Sequence, residues 1–123
     1  MQLDSVRIIT ADVDRLSAFY ARLLDRAADR PHPLFAALPG PSGTIAISSD
    51  ATVPALGEGV AESGANRSVI LDLEDADPDA VHERVRAWAD VVAPPRTMPW
   101  GNRSLLLRDP DGNLVNVFAR PAG

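Results

Sequence analysis

The sequence predicts an α+β fold made of two copies of one strand–helix–strands module. The first observation is that a strand pattern followed by a capped helix pattern occurs twice, once in each half of the chain. The second is that strand pairs joined by turn residues follow both helices. The third is direct sequence similarity, because Ser5-Val6 matches Ser68-Val69 and Ala11-Asp12-Val13-Asp14 matches Ala76-Asp77-Pro78-Asp79, with a two-residue insertion between. An internal repeat in so short a chain is strong evidence for a duplicated fold.

In the first module, residues 3–10 predict a strand, because Val6 and Ile8 fall on one face and Ser5, Arg7 and Ile9 on the other. An aspartate N-cap precedes a predicted helix over residues 13–24, whose apolar side chains form one continuous stripe. Residues 25–33 are polar and contain prolines, so we expect a loop or a short edge strand. Two further strands are predicted at residues 34–38 and 44–48, on either side of a Pro-Gly turn cluster.

The segment between the modules has a different composition. Residues 50–66 are rich in Gly, Ala, Pro and Glu and lack periodicity, so they are interpreted as a linker. A chain of 123 residues is the size of one domain. We therefore predict a single domain, with module 1 at about residues 1–50 and module 2 at about residues 67–123.

The second module repeats the order of the first. Residues 68–73 predict a strand, Asp77 is the expected N-cap of a helix, and Pro78 occupies the favoured first helical position. Residues 91–99 are interpreted as extended but broken by prolines. A hairpin over residues 103–118 then closes the fold.

The turn of that hairpin, Asp109-Pro110-Asp111-Gly112-Asn113, has the chemistry of a tight turn. Pro110 fixes its own φ, Gly112 can adopt a positive φ, and the Asp109 carboxylate can accept hydrogen bonds from loop amides. The turn therefore sets the register of the last strand. If Val115 and Val117 face the core, then Leu114, Asn116 and Phe118 line the other face.

Composition excludes several classes of function. The chain is 46% hydrophobic and 24% charged, as in ordinary globular domains, and has no stretch of about 20 apolar residues. It has no cysteine, so a disulfide or a thiolate site is excluded. A net charge of −5 without a basic cluster argues against nucleic acid as a partner. No leader-like segment is recognised, so we expect a cytoplasmic protein without membrane partners.

The duplicated module, the Asp-Pro-Asp-Gly-Asn hairpin and Pro99-Trp100-Gly101 before it resemble the vicinal oxygen chelate superfamily. That superfamily includes glyoxalase I, extradiol dioxygenases, metal-thiol fosfomycin-resistance enzymes and bleomycin-resistance proteins. The resemblance covers essentially the whole chain. It implies two βαβββ modules whose mixed sheets curl around a cavity with the helices outside, and it implies a homodimer.

The resemblance also implies a divalent metal held by His and Glu side chains on the cavity faces. The corresponding positions of this sequence hold Ser5, Ser68, Asn116 and, near the fourth position, Ala46 or Ser48. None of these can replace a histidine or a carboxylate. His32, in a proline-flanked loop, and His82, on the second predicted helix, are interpreted as surface residues. We therefore expect no metal and no cofactor.

Alternation along the strands nevertheless predicts a cavity face suited to a small molecule. Arg7 needs a partner on that face, which is either Asp72 or an acidic group of a ligand. Trp100 either stacks on a flat ligand or packs its turn against the sheet. The predicted ligand-binding residues are Ser5, Arg7, Phe35, Ser48, Ser68, Asp72, Trp100, Arg103, Asn116 and Phe118.

These observations favour a metal-independent protein that binds a hydrophobic or aromatic molecule, such as an antibiotic or another natural product. The alternative is an enzyme of the same superfamily, a lyase, isomerase or dioxygenase with a displaced metal site. A metal-free enzyme with Asp72 as general base is a further alternative, and a partner domain without a ligand is the last. The sequence alone leaves the choice open.

Overall fold

The computed structural model describes residues 1–122, and the chain divides into two compact units, Met1–Ala65 and Asn66–Gly123. Over the described residues there are two four-stranded mixed sheets, one in each unit, and three α-helices. The predicted α+β class and the two βαβββ modules are confirmed. None of the helices in residues 1–122 combines the length and the apolar character needed to cross a membrane.

The first unit has the strand order β1-β4-β3-β2, with β1 parallel to β4 and the other neighbours antiparallel. Its elements are β1 (Ser5–Thr10), α1 (Val13–Leu24), β2 (Asp29–His32), β3 (Phe35–Pro39) and β4 (Thr44–Ser49). The segment interpreted as a linker then begins with a 3-10 turn, Asp50–Thr52, and the short helix α2 (Val53–Leu56). Val53 is buried, and this part of the segment belongs to the first unit.

Helix α1 forms where the sequence predicts it, and its apolar stripe covers one face of the first sheet. The Asp12 side chain accepts a hydrogen bond from the backbone N–H of Arg15 at 3.0 Å, as an N-cap does. Leu16 and Tyr20 are completely buried. The strand residues buried on the same side of the sheet are Ala36, Leu38, Ile45 and Ile47.

The second unit has the same topology, with the strand order β5-β8-β7-β6 and β5 parallel to β8. Its elements are β5 (Ile70–Glu74), α3 (Pro78–Val85), β6 (Asp90–Thr97), β7 (Arg103–Arg108) and β8 (Leu114–Ala119). Strand β6 lies at the sheet edge, where its prolines and register shifts are tolerated. Val115 and Val117 are buried beneath α3 together with Leu105 and Leu107, which agrees with the register expected from the hairpin.

The repeat is more regular than the sequence match suggested. Ser5 begins β1 and Ile70 begins β5, and each precedes the N-cap of its helix, Asp12 or Asp77, by the same number of positions. Ser68 lies before β5, so the predicted equivalence of Ser5 with Ser68 is wrong, and no insertion is needed. Because strand side chains alternate with a period of two, an error of two residues leaves each side chain assigned to the correct face.

Candidate functional site

The first sheet has an open face opposite α1, and this face forms a shallow hollow. On β4, Ala46 pairs with Arg7 and Ala37, and Ser48 pairs with Ile9 and Phe35. Since paired residues on neighbouring strands point to the same side, these side chains share one face. The hollow has a volume of about 300 Å³. The side chains of the open face that line it are Ser5, Arg7, Phe35, Ala37, Ala46 and Ser48, with Pro31 at its margin.

Three polar side chains reach this hollow. Ser48 is only 2% exposed, and its hydroxyl makes no hydrogen bond to any of residues 1–122. Ser5 is half-buried. Arg7 is exposed and, within its own unit, makes no hydrogen bond or ion pair. Its predicted pairing with Asp72 would join the two units and stays a prediction.

Phe35 is fixed at the start of β3 by an arginine clamp. The Arg30 guanidinium donates to the Asp14 carboxylate at 2.7 Å and to the backbone carbonyls of Pro33 and Phe35 at 3.0 and 3.1 Å. The clamp ties strand β2 to helix α1 and to the turn that precedes β3. It therefore holds the backbone of Phe35 while 39% of the residue stays exposed to form the wall of the hollow.

Neither histidine is among the residues that line this hollow. His32 belongs to the edge strand β2 rather than to a loop, and its Nδ1 accepts a hydrogen bond from the Leu34 amide at 3.1 Å. The proton of a neutral His32 is therefore on Nε2. Its ring lies 5.8 Å from that of Phe35, and it is exposed. His82 is half-buried on α3 of the other unit.

The open face of the second sheet carries an amide–carboxylate pair. The register places Asp72 beside Asn116, between the pairs Ile70–Leu114 and Glu74–Phe118. The Asn116 side-chain N–H₂ donates to Asp72 Oδ1 at 2.9 Å. The side-chain oxygen of Asn116 itself, Oδ1, is buried and has no partner among the described residues. An orphaned buried acceptor is uncommon, because leaving it unpaired costs about 1–3 kcal/mol.

Arg103 does not lie where the sequence analysis expected it. It shares the face of β7 with the buried residues Leu105 and Leu107, on the side of α3, and not the open face. Its guanidinium donates two hydrogen bonds to Asp79 of α3, at 2.8 and 3.0 Å. These bonds lower the pKa of the Asp79 carboxyl below its ordinary value and raise the pKa of Arg103. Sequence alternation does assign Arg103 to this side, but its helix partner is not visible in the sequence.

Trp100 lies in the turn between β6 and β7 and is 69% exposed. The turn is closed by hydrogen bonds between the backbone groups of Met98 and Asn102, at 2.7 Å, and of Gly101 and Met98, at 2.9 Å. Gly101 has a φ of 100°, which other residues rarely adopt. So large an exposed fraction leaves most of the indole unpacked, and it is available for stacking on another molecule.

The hairpin turn before β8 is held by a buried carboxylate. Asp109 is 4% exposed and accepts hydrogen bonds from the amides of Asp111 and Asn113, both at 2.9 Å, and from the Asn113 side chain at 2.8 Å. The sequence analysis missed one member of this network, Asn66, whose side chain donates to Asn113 at 3.1 Å and to the Val69 carbonyl at 2.9 Å. An asparagine in a Gly-Ala-Asn-Arg-Ser segment is a turn signal, which is what could have identified it.

Comparison with protein families identifies the family of this chain. The family model described as a glyoxalase-like domain matches residues 4–118. The chain belongs to the glyoxalase-like domain family. It is therefore a member of the vicinal oxygen chelate superfamily, as the sequence resemblance indicated. A comparison with curated protein sequences finds no match.

Solved structures of the glyoxalase-like fold are similar over the whole chain. A glyoxalase/bleomycin resistance protein/dioxygenase from Nocardioides is 26% identical, with a TM-score of 0.79, and the match covers 100% of this chain and 85% of that one. A family enzyme of the same description from Burkholderia phytofirmans is 20% identical, with a TM-score of 0.82 and coverage of 97% and 98%. A glyoxalase-related enzyme from Fulvimarina pelagi is 19% identical, with a TM-score of 0.83 and coverage of 100% and 93%. The last two show the fold alone.

The metal site implied by the superfamily does not fit this glyoxalase-like domain. With the corrected register, Ile70 and not Ser68 is equivalent to Ser5, and Ala46 is equivalent to Asn116, since they pair with Arg7 and Asp72 in the same way. A hydroxyl, two aliphatic side chains and an amide are poor ligands for a divalent transition metal. Among residues 1–122, no three His, Cys, Asp or Glu side chains are grouped so that they could hold a metal ion.

Proposed function

We propose that this glyoxalase-like domain is a metal-independent binding protein for small hydrophobic or aromatic molecules. The observation that carries the proposal is the hollow on the first sheet. Phe35, Ala37 and Ala46 line it, and so does Ser48, whose hydroxyl makes no hydrogen bond among residues 1–122. Apolar walls with a few polar groups are typical of ligand sites, and about 300 Å³ is the lower end of their usual volume.

The comparisons support a small molecule as the ligand. The Nocardioides protein is named as a glyoxalase/bleomycin resistance protein/dioxygenase, a name compatible with binding and with catalysis. The side chains at the metal positions favour binding over metal-dependent catalysis. We therefore propose an antibiotic or another natural product as the ligand class. We also propose that the protein is a homodimer, because apolar residues such as Val69 and Ile70 are half exposed. Its proposed location is the cytoplasm.

Calorimetry and tryptophan fluorescence test the proposal, because calorimetry detects binding to either unit and fluorescence reports contact with Trp100, which is exposed in the second unit. The Trp88→Phe variant leaves Trp100 as the sole indole, and it is titrated with a panel of aromatic antibiotics and natural products. We expect saturable binding of at least one compound by calorimetry, with quenching where that compound contacts Trp100. Trp100→Phe is the matched control, in which the signal of Trp88 alone is followed. If no compound gives saturable binding to either variant, by fluorescence or by calorimetry, the proposal is wrong.

Elemental analysis distinguishes binding from the metallo-enzyme alternative. We expect the protein purified without a chelator to contain well under one equivalent of any transition metal. A stoichiometric content of Zn, Mn, Fe or Ni would show that a different set of residues holds a metal, and it would favour a lyase, isomerase or dioxygenase. The metal-free enzyme alternative predicts that Asp72→Asn abolishes turnover of a ligand without weakening its binding.

A further inference from the structure

The open face of the first sheet carries a positive charge that nothing in its unit neutralises. Arg7 is exposed and makes no hydrogen bond or ion pair within that unit. The residues beside it across the sheet are Ala46 and then Ala37, which offer only methyl groups. The next residue in this row is Asp29, three strand spacings or roughly 14 Å from Arg7. That separation is too long for an ion pair.

Two hydroxyl groups lie on the same face as this charge. Ser48 is one strand across and two residues along from Arg7, which places their Cα atoms roughly 8 Å apart. Ser48 is 2% exposed and its hydroxyl makes no hydrogen bond among residues 1–122, so the hydroxyl can donate to a bound molecule. Ser5 lies two residues before Arg7 on β1 and also lines the hollow. A long guanidinium side chain and these hydroxyls can all reach one acceptor group placed between them.

The wall of the hollow on the other side of Ser48 is aromatic. Register places Phe35 directly opposite Ser48, and the Arg30 clamp holds the backbone at this position. Phe35 is 39% exposed, so part of its ring surface is open to a ligand. The alanines at positions 37 and 46 leave the space that larger side chains would fill.

We propose that this face binds the acidic group of an aromatic ligand. The carboxylate of an aryl acid accepts hydrogen bonds from the Arg7 guanidinium and the Ser48 hydroxyl, and its ring lies over the alanines against Phe35. Arg7 matches a carboxylate because its planar fork can donate two parallel hydrogen bonds. The inference rests on the proposed binding function and specifies its ligand class.

A pair of probes with one ring system isolates the charge. Naphthoate carries a charged carboxylate where naphthamide carries a neutral carboxamide. Binding of each probe is measured by two-dimensional ¹⁵N NMR titration of the full chain. Hydrogen bonds to charged groups contribute about 1.5–3 kcal/mol, so we expect naphthoate to bind about 10- to 100-fold more tightly than naphthamide. The largest amide shifts are expected in β1 and β4.

Variants assign the preference to Arg7. Arg7→Gln is expected to reduce naphthoate affinity to that of naphthamide and to leave naphthamide affinity unchanged. Arg86→Gln removes the same charge from the end of α3, where the side chain is exposed, and is expected to change neither affinity. Ser48→Ala is expected to weaken naphthoate several-fold, through loss of one hydrogen bond.

Each outcome separates the inference from the binding function. Wild-type protein that binds both probes equally, or an Arg7→Gln variant that keeps the preference, would overturn the acid-binding inference while leaving the binding function in place. If equal binding becomes a naphthoate preference in Asp72→Asn, then that carboxylate is the partner of Arg7 and not a ligand. Absence of binding by both probes and by the panel of natural products would overturn the inference and the function together.

Discussion

Replacing Asp109 by alanine should destabilise the second unit by about 3 kcal/mol, because its carboxylate holds the hairpin turn. The side chain is 4% exposed and accepts three hydrogen bonds, from two backbone amides and from the Asn113 side chain. At about 1 kcal/mol net for each hydrogen bond, the loss is about 3 kcal/mol. Asn113 is itself 6% exposed, so water cannot readily replace the lost acceptor.

The assay is equilibrium urea unfolding followed by far-UV circular dichroism, with thermal melts in parallel. A loss of about 3 kcal/mol corresponds to a Tm lower by roughly 10–15 °C for a domain of this size. Glu62→Ala is the matched control, because it also removes one carboxylate but from an exposed position. If Asp109→Ala unfolds within about 0.5 kcal/mol of wild type, the carboxylate does not hold the turn, and our account of how β8 is set in register is wrong.

Three further predictions follow from the second unit. Leu107→Ala should lower the free energy of unfolding in urea by about 2–5 kcal/mol, because Leu107 is completely buried. Leu106→Ala, on the open face, should lower it clearly less. Equal losses would contradict the assigned faces. The hydrogen bonds from Arg103 lower the pKa of Asp79 in the folded state. Their contribution to the free energy of unfolding is therefore fully present above the pKa that Asp79 has in the unfolded chain, and it is lost as the pH falls through the lower pKa of the folded state. The stability difference between wild type and Asp79→Asn should therefore be present at neutral pH and shrink in acid; a difference that is independent of pH would refute this. Asn116→Leu removes a buried acceptor without a partner together with one hydrogen bond to the exposed Asp72, so its net cost in urea unfolding should stay below about 1 kcal/mol. A loss of about 2 kcal/mol or more would show that Asn116 Oδ1 has a partner.

Local chemistry explains what the sequence could predict about the fold. The capped helix α1 and the Asp-Pro-Asp-Gly-Asn turn depend on neighbouring residues, so both are legible without a structure. Alternation then predicted which side chains share a face, and this survived an error of two residues in matching the repeat. The error itself arose because a Ser-Val dipeptide is too short a match to set a register.

The candidate site was only partly predictable, because its properties depend on partners distant in sequence. The pairing of Arg103 with Asp79 requires the packing of α3 on the sheet, which sequence periodicity does not specify. The unpaired hydroxyl of Ser48 and the unpaired Oδ1 of Asn116 are properties of the three-dimensional surroundings. By contrast, the side chains at the metal positions could be evaluated from sequence, since chemical type alone makes them poor ligands.

The central claim is that this glyoxalase-like domain binds its ligand without a metal. The most direct test is a calorimetric titration with naphthoate, performed on the protein as purified, on protein treated with EDTA, and on protein with excess Mn²⁺ or Ni²⁺. Our account predicts the same dissociation constant, within about twofold, in all three conditions. Binding that disappears after chelation and returns with a metal would contradict it.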